Sequence, residues 1–397
     1  MTGASGFVGQ QLVPRLASRG ADLLLVGRNP KALARLFTGH DVCGYDELKL
    51  RARNADMLVH LAVRNSEQMG SADDFQSTNV DFLKQVLSLA SDAGIRHLVH
   101  MSSLQALDGR NQSLYAQSKR EAEGVLSGFP DITTSTIYLA AVYGDRFSGK
   151  LAILNSLPSL LVRWTFPVMA AFKPTVHIER LAAHIMQGGR GGILTDGQHK
   201  NWVYRTARVV IDLSFVVTVL LLLSWLLVAV WVSVRLTSPG PGLLIQTRVG
   251  QTGRLFRLYK FRTMLKDTEN LGTHEVSSSA VTSVGTFLRR TKIDELPQAL
   301  NILKGDLSLI GPRPCLPIQE QLIKERNSLN VLQSRPGITG LSQVEGIDMR
   351  DPGRLARRDA DYAALQCISL DIRILLRTAT GGGQGDSLAD ARTDISP

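Results

Sequence analysis

The chain has 397 residues, with 45 Lys and Arg against 35 Asp and Glu for a net charge of +10, and 44% hydrophobic residues against 20% charged. That length calls for two domains or more, and the ordinary mix of apolar and polar residues excludes a collagen-like or wholly disordered chain. Cys43, Cys315 and Cys367 lie far apart with no CxxC pairing, which argues against a disulfide framework or a structural zinc site and fits a reducing, cytoplasmic-side setting. The positive excess leaves nucleic acid, anionic lipid or phosphorylated substrate as partners, and position along the chain must decide. Met1 runs directly into a Gly-rich turn, so no secretory signal is expected at this start.

From Thr2 to about Val125, short apolar runs at Ala21–Val26, Met57–Ala62 and His97–Met101 alternate with helical patterns such as Asn79–Ala93. That rhythm predicts β-α-β units on a parallel sheet. Gly3, Gly6 and Gly9 form a G-x-x-G-x-x-G turn leading into a helical pattern over Gln10–Ser18. Glycines there let backbone approach a pyrophosphate, whose charge the helix N-terminus stabilises. The second strand ends in Gly27-Arg28, and Arg28, where an acid would hold the ribose hydroxyls of NAD, points to the 2′-phosphate of NADP. Further on, Tyr115 and Lys119 stand four residues apart on one helix face, after Ser102 and Ser103 at a strand end. A lysine so placed can lower the tyrosine pKa, and a serine can hold the substrate oxygen that the tyrosine protonates.

Together with Asn79 and the HLA run at His60–Ala62, these motifs resemble the extended short-chain dehydrogenase/reductases, specifically nucleotide-sugar epimerases and 4-keto reductases, over roughly residues 1–198. The resemblance implies Tyr115 as acid/base, Lys119 as its activator and ribose contact, Ser103 or its neighbour Ser102 as substrate anchor, and NADP or NAD as cofactor. The family places a central strand before the Gly turn, whereas only Met1 and Thr2 precede Gly3 here. Either the start is placed late or the sheet lacks its first, middle strand. The segment from Ser103 to Tyr115 and the loosely patterned stretch from about Gly128 to Asn201, expected to form a substrate-binding subdomain, are also short for the family. A degenerate, non-catalytic N-terminal module is therefore the alternative to an active reductase.

Val209–Val234 is almost uninterruptedly apolar, 26 residues with Asp212 as the one ionisable group. As a helix it would measure about 39 Å, enough for a bilayer core of about 30 Å. Lys200, Arg205 and Arg208 precede the run, and Arg235, Arg248, Arg254, Arg257, Lys260 and Arg262 follow it, so both ends read as cytoplasmic. A helix that enters one leaflet, bends near Ser224 and returns is favoured over a simple span. A soluble core helix would show a polar face over seven turns.

Beyond a turn cluster at Thr237–Pro241 come YKFRTM (Tyr259–Met264), KIDELPQALNILKGDLSLIGPRP (Lys292–Pro314), RPGITGLSQVEGIDM (Arg335–Met349) and DADYAALQCISLDIRILLRT (Asp359–Thr378). The adjacent Asp294 and Glu295 have Arg289, Arg290, Lys292, Arg313 and Arg335 around them in sequence. Neighbouring cations keep a carboxylate ionised, as a nucleophile requires, and with a metal they neutralise a diphosphate. An isolated Asp-Glu pair is usually a solvated helix start, but four blocks in order resemble the bacterial sugar transferases from about Arg205 to Thr380. These monotopic phosphoglycosyl transferases move a hexose 1-phosphate from a UDP-sugar to polyprenyl phosphate. The resemblance implies Asp294 as nucleophile and likeliest magnesium ligand, with Glu295 its partner in acid/base work and metal organisation. Lys260, Arg262, Arg313 and Arg335 are candidates for phosphate and uridine contacts. The family's membrane helix breaks at a Ser-Pro pair, for which this chain has Ser224-Trp225.

The expected fold class is α/β. Residues 1–198 would form a Rossmann-like parallel sheet with an NAD(P)-binding epimerase or reductase character, 199–236 a re-entrant membrane helix, 237–380 a small mainly helical α/β transferase domain, and 381–397 a disordered tail. The expected activity is UMP-releasing transfer that initiates surface-polysaccharide assembly on the cytoplasmic face of the bacterial inner membrane, monotopic through residues 209–234. Its partners would be a UDP-sugar, polyprenyl phosphate and membrane lipid, with homo-oligomerisation open. The basic stretch Arg235–Arg262 adjoins a membrane helix and lacks a nucleic-acid module, so no nucleic-acid partner is expected. A UDP-linked 4-keto-6-deoxy-N-acetylhexosamine is the specific sugar implied, with an epimerase on UDP-N-acetylglucosamine as its rival.

Overall fold

The computed structural model describes residues 1–53, 55–65, 68–109, 111–265 and 281–382. The tail expected to be disordered lies outside the described residues from 383 onward. The chain divides into two compact units, Met1–Gly197 and Gln198–Pro397.

In the first unit the parallel strands are β1 (Leu24–Val26), β2 (Asp41–Cys43), β3 (Leu58–His60), β4 (His97–Ser103) and β5 (Thr133–Leu139), with a small parallel pair β6 (Ala141–Tyr143) and β7 (Thr175–His177), and β8 (Gly192–Leu194). β3, β4, β5 and β8 pair in that order, and β1 pairs β2 separately. Thr2 joins the two sets, bridging Val26 on one side and His60 on the other. The Thr2 N–H donates to Val59 O at 3.0 Å and the Val26 N–H to Met1 O at 2.8 Å. The middle position that the sequence seemed to leave empty is thus held by Met1 and Thr2, which satisfy backbone groups of both neighbouring strands. Buried Leu12, Leu16, Leu25, Val99 and Ile137 form one core of this sheet, and Leu83, Val86, Leu87, Leu98 and Ala122 the other. Two cores on opposite faces define a doubly wound sheet, which explains why its strands read as continuous apolar runs.

The second unit begins with helices Trp202–Val217 and Ser224–Thr237 joined by a π-turn over Thr218–Leu222. The halves Trp202–Leu222 and Ser224–Thr237 meet at 66°, and among the described residues no single helix is long and apolar enough to cross a membrane. The bend expected near Ser224 needs no proline. The Leu223 N–H reaches back five residues to Thr218 O at 3.0 Å, and the Ser224 hydroxyl donates to Leu221 O at 3.1 Å. A π-turn adds a residue to the helical repeat and redirects the axis, a recognised cause of kinking.

One side of the bent pair packs inward. Val216 and Val219 meet Leu258, Ala299 and Ile302, while Val230 and Val234 meet Phe261 and Leu288. Its other side exposes Leu221, Leu222, Trp225 and Val228. A buried polar network fixes the first half. The Arg208 guanidinium donates to Asp371 at 3.1 Å, to the Tyr362 hydroxyl at 2.8 Å and to Ser308 Oγ at 2.6 Å, and Tyr204 donates to Asp371 at 2.8 Å. Asp212 accepts from Ser308 Oγ at 3.0 Å and from the Leu309 N–H at 2.7 Å. This unit also holds the antiparallel hairpin β9 (Leu243–Val249) and β10 (Leu255–Phe261) and the parallel pair β11 (Ser308–Ile310) and β12 (Gly337–Thr339).

A second buried charge pair, Arg326 with Asp359 at 2.7 Å, is covered by Ser342, which donates to Asp359 at 2.6 Å, and Arg326 Nη1 also donates to the Arg313 carbonyl at 2.8 Å. Removing one partner strands the other charge in the interior, at a cost of about 3–5 kcal/mol. Asp359→Ala is therefore expected to lower the thermal unfolding midpoint of the detergent-solubilised protein sharply. An unchanged midpoint would show that the pair contributes nothing.

Candidate functional site

Helix Ser283–Thr291 is capped by Thr282, whose Oγ1 accepts from the Gly285 N–H at 2.9 Å. A Cβ on Gly285 would lie 2.0 Å from Thr263 O, so the helix rests directly on the backbone after β10. That close approach lets Arg289 Nε donate to Thr263 Oγ1 at 2.9 Å. The helix stops at Lys292, which takes a left-handed conformation at φ 57°, a strained geometry for a non-Gly residue. A 3₁₀ helix, Ile293–Gln298, follows at once and carries Asp294 and Glu295 in its first turn.

Asp294 is buried, and its carboxyl is pushed up to about 7. Loss of water is the main cause and the neighbouring Glu295 charge adds to it, while Lys260, Arg289 and Arg313 pull the other way. The expectation that surrounding cations keep Asp294 ionised is corrected here, because burial and a like charge outweigh them. Glu295 is paired with Arg313 at 3.2 Å, which leaves Asp294 as the carboxylate not tied to an arginine by a short contact.

The structure brings Lys260, Arg289 and Arg313 into electrostatic reach of Asp294. Lys260 is placed by Asn301, which accepts from the Tyr259 N–H at 3.1 Å and donates to Arg257 O at 2.7 Å, bracing β10. Arg262 is buried, with Nη2 donating to Ser238 O at 2.7 Å, while its Nε and Nη1 have no hydrogen-bond partner among the described residues. Arg289 Nη1 is likewise buried without one. Arg335 is exposed and is not among the charges acting on Asp294. Its backbone nevertheless lies against the Arg313 loop: a Cβ on Gly311 would fall 2.6 Å from Arg335 O, so two glycine-dependent segments pass in direct contact.

Magnesium typically binds one or two carboxylates and completes its shell with phosphate oxygens and water. The adjacent Asp294 and Glu295 suit that, and among the described residues no cluster of three or more His, Cys, Asp or Glu offers an all-protein cage.

In the first unit, Gly3 has φ +73° and a Cβ there would meet Ala62 N at 2.4 Å, while one on Gly9 would meet Ala4 O at 2.4 Å. Gly6 is the N-cap of helix Phe7–Ala17, which starts three residues earlier than the pattern suggested. The bare backbone at this helix start fits a pyrophosphate, and Arg28 is exposed just beyond β1. The Ser103 side chain acts on Tyr115 to lower its pKa, but burial dominates and raises it. Ser102 instead donates to Glu123 at 2.8 Å, which separates the two serine candidates by geometry.

Lys119 is fully buried, and its ammonium donates to Met101 O at 2.7 Å rather than acting on Tyr115. Burial brings its pKa down to about 7. The expected lysine-induced lowering of the tyrosine pKa is thus absent in this arrangement. Asn79, in a π-turn, donates to Ser118 Oγ at 2.9 Å and accepts from the Arg64 N–H at 2.7 Å, bracing helix Leu114–Leu126. Glu123 was missed in the sequence, although its position four residues after Lys119 on one helix face was a usable signal.

The model of the bacterial sugar transferase family matches residues 203–383, and that of the NAD dependent epimerase/dehydratase family matches residues 1–151. A sugar transferase of Bacillus subtilis, EpsL, is 36% identical over 167 residues, covering 42% of this chain and 82% of that protein. The UDP-glucose:undecaprenyl-phosphate glucose-1-phosphate transferase of Caulobacter vibrioides is 37% identical, covering 43% of this chain and 67% of the relative. An N-acetylgalactosaminephosphotransferase of Aeromonas hydrophila, acting between UDP-N-acetylgalactosamine and undecaprenyl phosphate by its name, is 34% identical over 52% of this chain and 51% of its own length. The chain spans as little as 34% of the curated relatives it matches, as with a glucose phosphotransferase of Komagataeibacter xylinus. A solved UDP-glucose 4-epimerase of Thermus thermophilus in complex with NAD has 18% identity and TM-score 0.38, covering 48% of this chain and 75% of that one. The chain belongs to the bacterial sugar transferase family, carried on its second unit. Its first unit has the Rossmann-like α/β fold of the epimerase/dehydratase family.

The raised carboxyl of Asp294 has a consequence for stability. Between the ordinary aspartate value of 3.8 and about 7, the folded protein holds a proton that the unfolded chain has released. Raising the pH through this window therefore favours unfolding, and the contribution present below 3.8 is lost as pH passes 7. Asp294→Asn is expected to be more stable than the parent at pH 8, with the gap closing towards pH 4, in thermal melts of the solubilised protein. A gap independent of pH would refute the shift.

Proposed function

We propose that the second unit transfers a sugar 1-phosphate from a UDP-sugar to polyprenyl phosphate through a covalent enzyme intermediate, and that the first unit is an NADP-dependent reductase or epimerase acting on the same class of sugar. The observation that carries the reading is Asp294: a buried carboxylate on a 3₁₀ turn, beside Glu295 and ringed by Lys260, Arg289 and Arg313, inside the segment matched by the sugar transferase family.

The first step forms a bond between an Asp294 oxygen and the sugar-linked phosphorus as the bridging oxygen departs with UMP. Lys260 and Arg313 offset the charge that builds there, as does Arg262, whose Nε and Nη1 have no partner among the described residues and suit an anionic oxygen. In the second step an oxygen of polyprenyl phosphate attacks the same phosphorus and releases Asp294. Glu295 holds Arg313 in place and serves in proton transfer. Arg335, exposed beside the Arg313 loop, is assigned to the nucleotide. A magnesium ion held by Asp294, with Glu295 organising its shell, would neutralise the diphosphate of the donor.

In the first unit, Gly3, Gly6 and Gly9 cradle the cofactor pyrophosphate and Arg28 its 2′-phosphate. Tyr115 donates or accepts the proton at the sugar oxygen that Ser103 anchors, and Lys119 holds the ribose. The cofactor supplies or receives the hydride. The proposed domain limits are 1–198, 199–236 as a re-entrant segment and 237–380. The chain would sit on the cytoplasmic face of the inner membrane, since cations flank both ends of the bent pair. The Lys119 ammonium turned onto Met101 O gives a specific reason to keep the second reading, a transferase with a non-catalytic nucleotide-binding module.

UMP release by solubilised protein given polyprenyl phosphate, magnesium and a UDP-linked 4-keto sugar tests both parts. Asp294→Asn is expected to abolish release and leave NADPH binding intact, and appreciable residual turnover would refute the nucleophile. Tyr115→Phe is expected to reduce NADPH consumption by at least about a hundredfold, the scale of a lost acid/base group. Unchanged turnover in that variant would remove Tyr115 from the mechanism, and NADPH binding with no turnover in the parent would favour the non-catalytic module.

A further inference from the structure

We propose that helix Ser159–Phe172 of the first unit is a second membrane contact, an interfacial helix that docks this unit on an anionic lipid surface. The helix is apolar on both sides. Inward, Phe166 packs on Tyr143 at 4.6 Å and Phe147 at 5.5 Å between ring centroids, and Ala170 and Ala171 are buried. Outward, Leu160, Trp164, Val168 and Phe172 follow one another at four-residue spacing along a single face, joined by Leu161. Leu160 is 68% exposed and Trp164 60%. A helix on the surface of a soluble domain normally turns polar residues outward, so this row marks a face meant to be covered.

Three observations select lipid as the cover. Fourteen residues make about 21 Å of helix, too short for a hydrocarbon core of about 30 Å, so the helix lies along the interface and does not cross it. Arg163 lies on the helix and Arg146, Lys150 and Lys173 flank it in sequence, while the nearest acids, Asp145 and Glu179, are paired with Arg15. That is the charge pattern of an interfacial helix, whose long cationic side chains reach past buried apolar groups to anionic headgroups while a tryptophan sits at headgroup level. The same pattern opposes a twofold dimer through this face, because a self-complementary interface would set like charges against each other. The inference also rests on the bent pair being membrane-embedded, since that attachment holds the first unit at high effective concentration near the bilayer.

The test uses the full chain with one environment-sensitive dye, on Leu160→Cys or on Trp225→Cys, the latter at the bend of the helix pair. The native Cys43, Cys315 and Cys367 are buried and would stay unlabelled. UMP release verifies that each labelled protein is folded. In vesicles of phosphatidylethanolamine and phosphatidylglycerol doped with headgroup-region spin-labelled lipid, both dyes are expected to shift to the blue and lose most of their emission. Replacing phosphatidylglycerol by phosphatidylcholine, or adding Arg163→Glu and Lys173→Glu, is expected to restore emission at the Leu160 position alone. Quenching at the Trp225 position but not at the Leu160 position would overturn the inference and leave the embedded pair standing. Dye-to-dye transfer between copies labelled at Leu160→Cys, without lipid quenching, would assign the face to a dimer and overturn it equally. Quenching at neither position would overturn both.

Discussion

The second unit depends on one half-buried guanidinium. Arg208 binds helix Ile368–Ala379 through Asp371, helix Pro352–Leu365 through Tyr362 and strand β11 through Ser308, so a residue of the bent helix pair fixes three further elements of its unit. Asp371 is fully buried and has Arg208, Tyr204 and Tyr362 as donors. Such a network is tolerable in a low-dielectric interior only when every member is paired, and then it allows a single arrangement. β11 leads directly into Gly311, Pro312 and Arg313. The bent helix pair and the Arg313 loop are therefore held by one connected network, and the Arg326–Asp359 pair holds the same loop from its other end through the Arg313 carbonyl.

Both units place an ionisable group near neutrality by the same means. Lys119 and Asp294 each move to about 7, from opposite directions, and in both cases desolvation is the leading cause. Charge counting along the sequence pointed the wrong way for Asp294, because cations are visible as letters whereas burial is not. The same limit applied to Tyr115: four-residue spacing placed Lys119 on its face of the helix, but could not show that the ammonium would turn to the Met101 carbonyl.

What was legible in the sequence was local or periodic. The parallel strands at Leu24–Val26, Leu58–His60 and His97–Ser103 announced themselves as apolar runs, the glycine turn by its spacing, and the break near Ser224 by charge at both ends of the apolar stretch. The cause of that break was not legible, since a π-turn arises from how the hydrogen-bond ladder slips and no proline marks it. Nor were the long-range pairs. Arg326 and Asp359, or Thr2 between Val26 and His60, meet only after the chain has folded, and no spacing rule connects them. Short strands such as Asp41–Cys43 and Gly192–Leu194 carry too few residues to display a period.

The network around Arg208 also constrains biosynthesis. Its partners Tyr362 and Asp371 lie 154 and 163 residues downstream. At an elongation rate of about 5–20 residues per second, Arg208 is made roughly eight to thirty-three seconds before those partners exist. During that interval Arg208 lacks Tyr362 and Asp371, two of the groups that offset its desolvation, so the bent pair cannot reach its final packing as an autonomous segment. Packing of the bent pair is thus a late event, completed when helix Ile368–Ala379 arrives and closes the polar contacts.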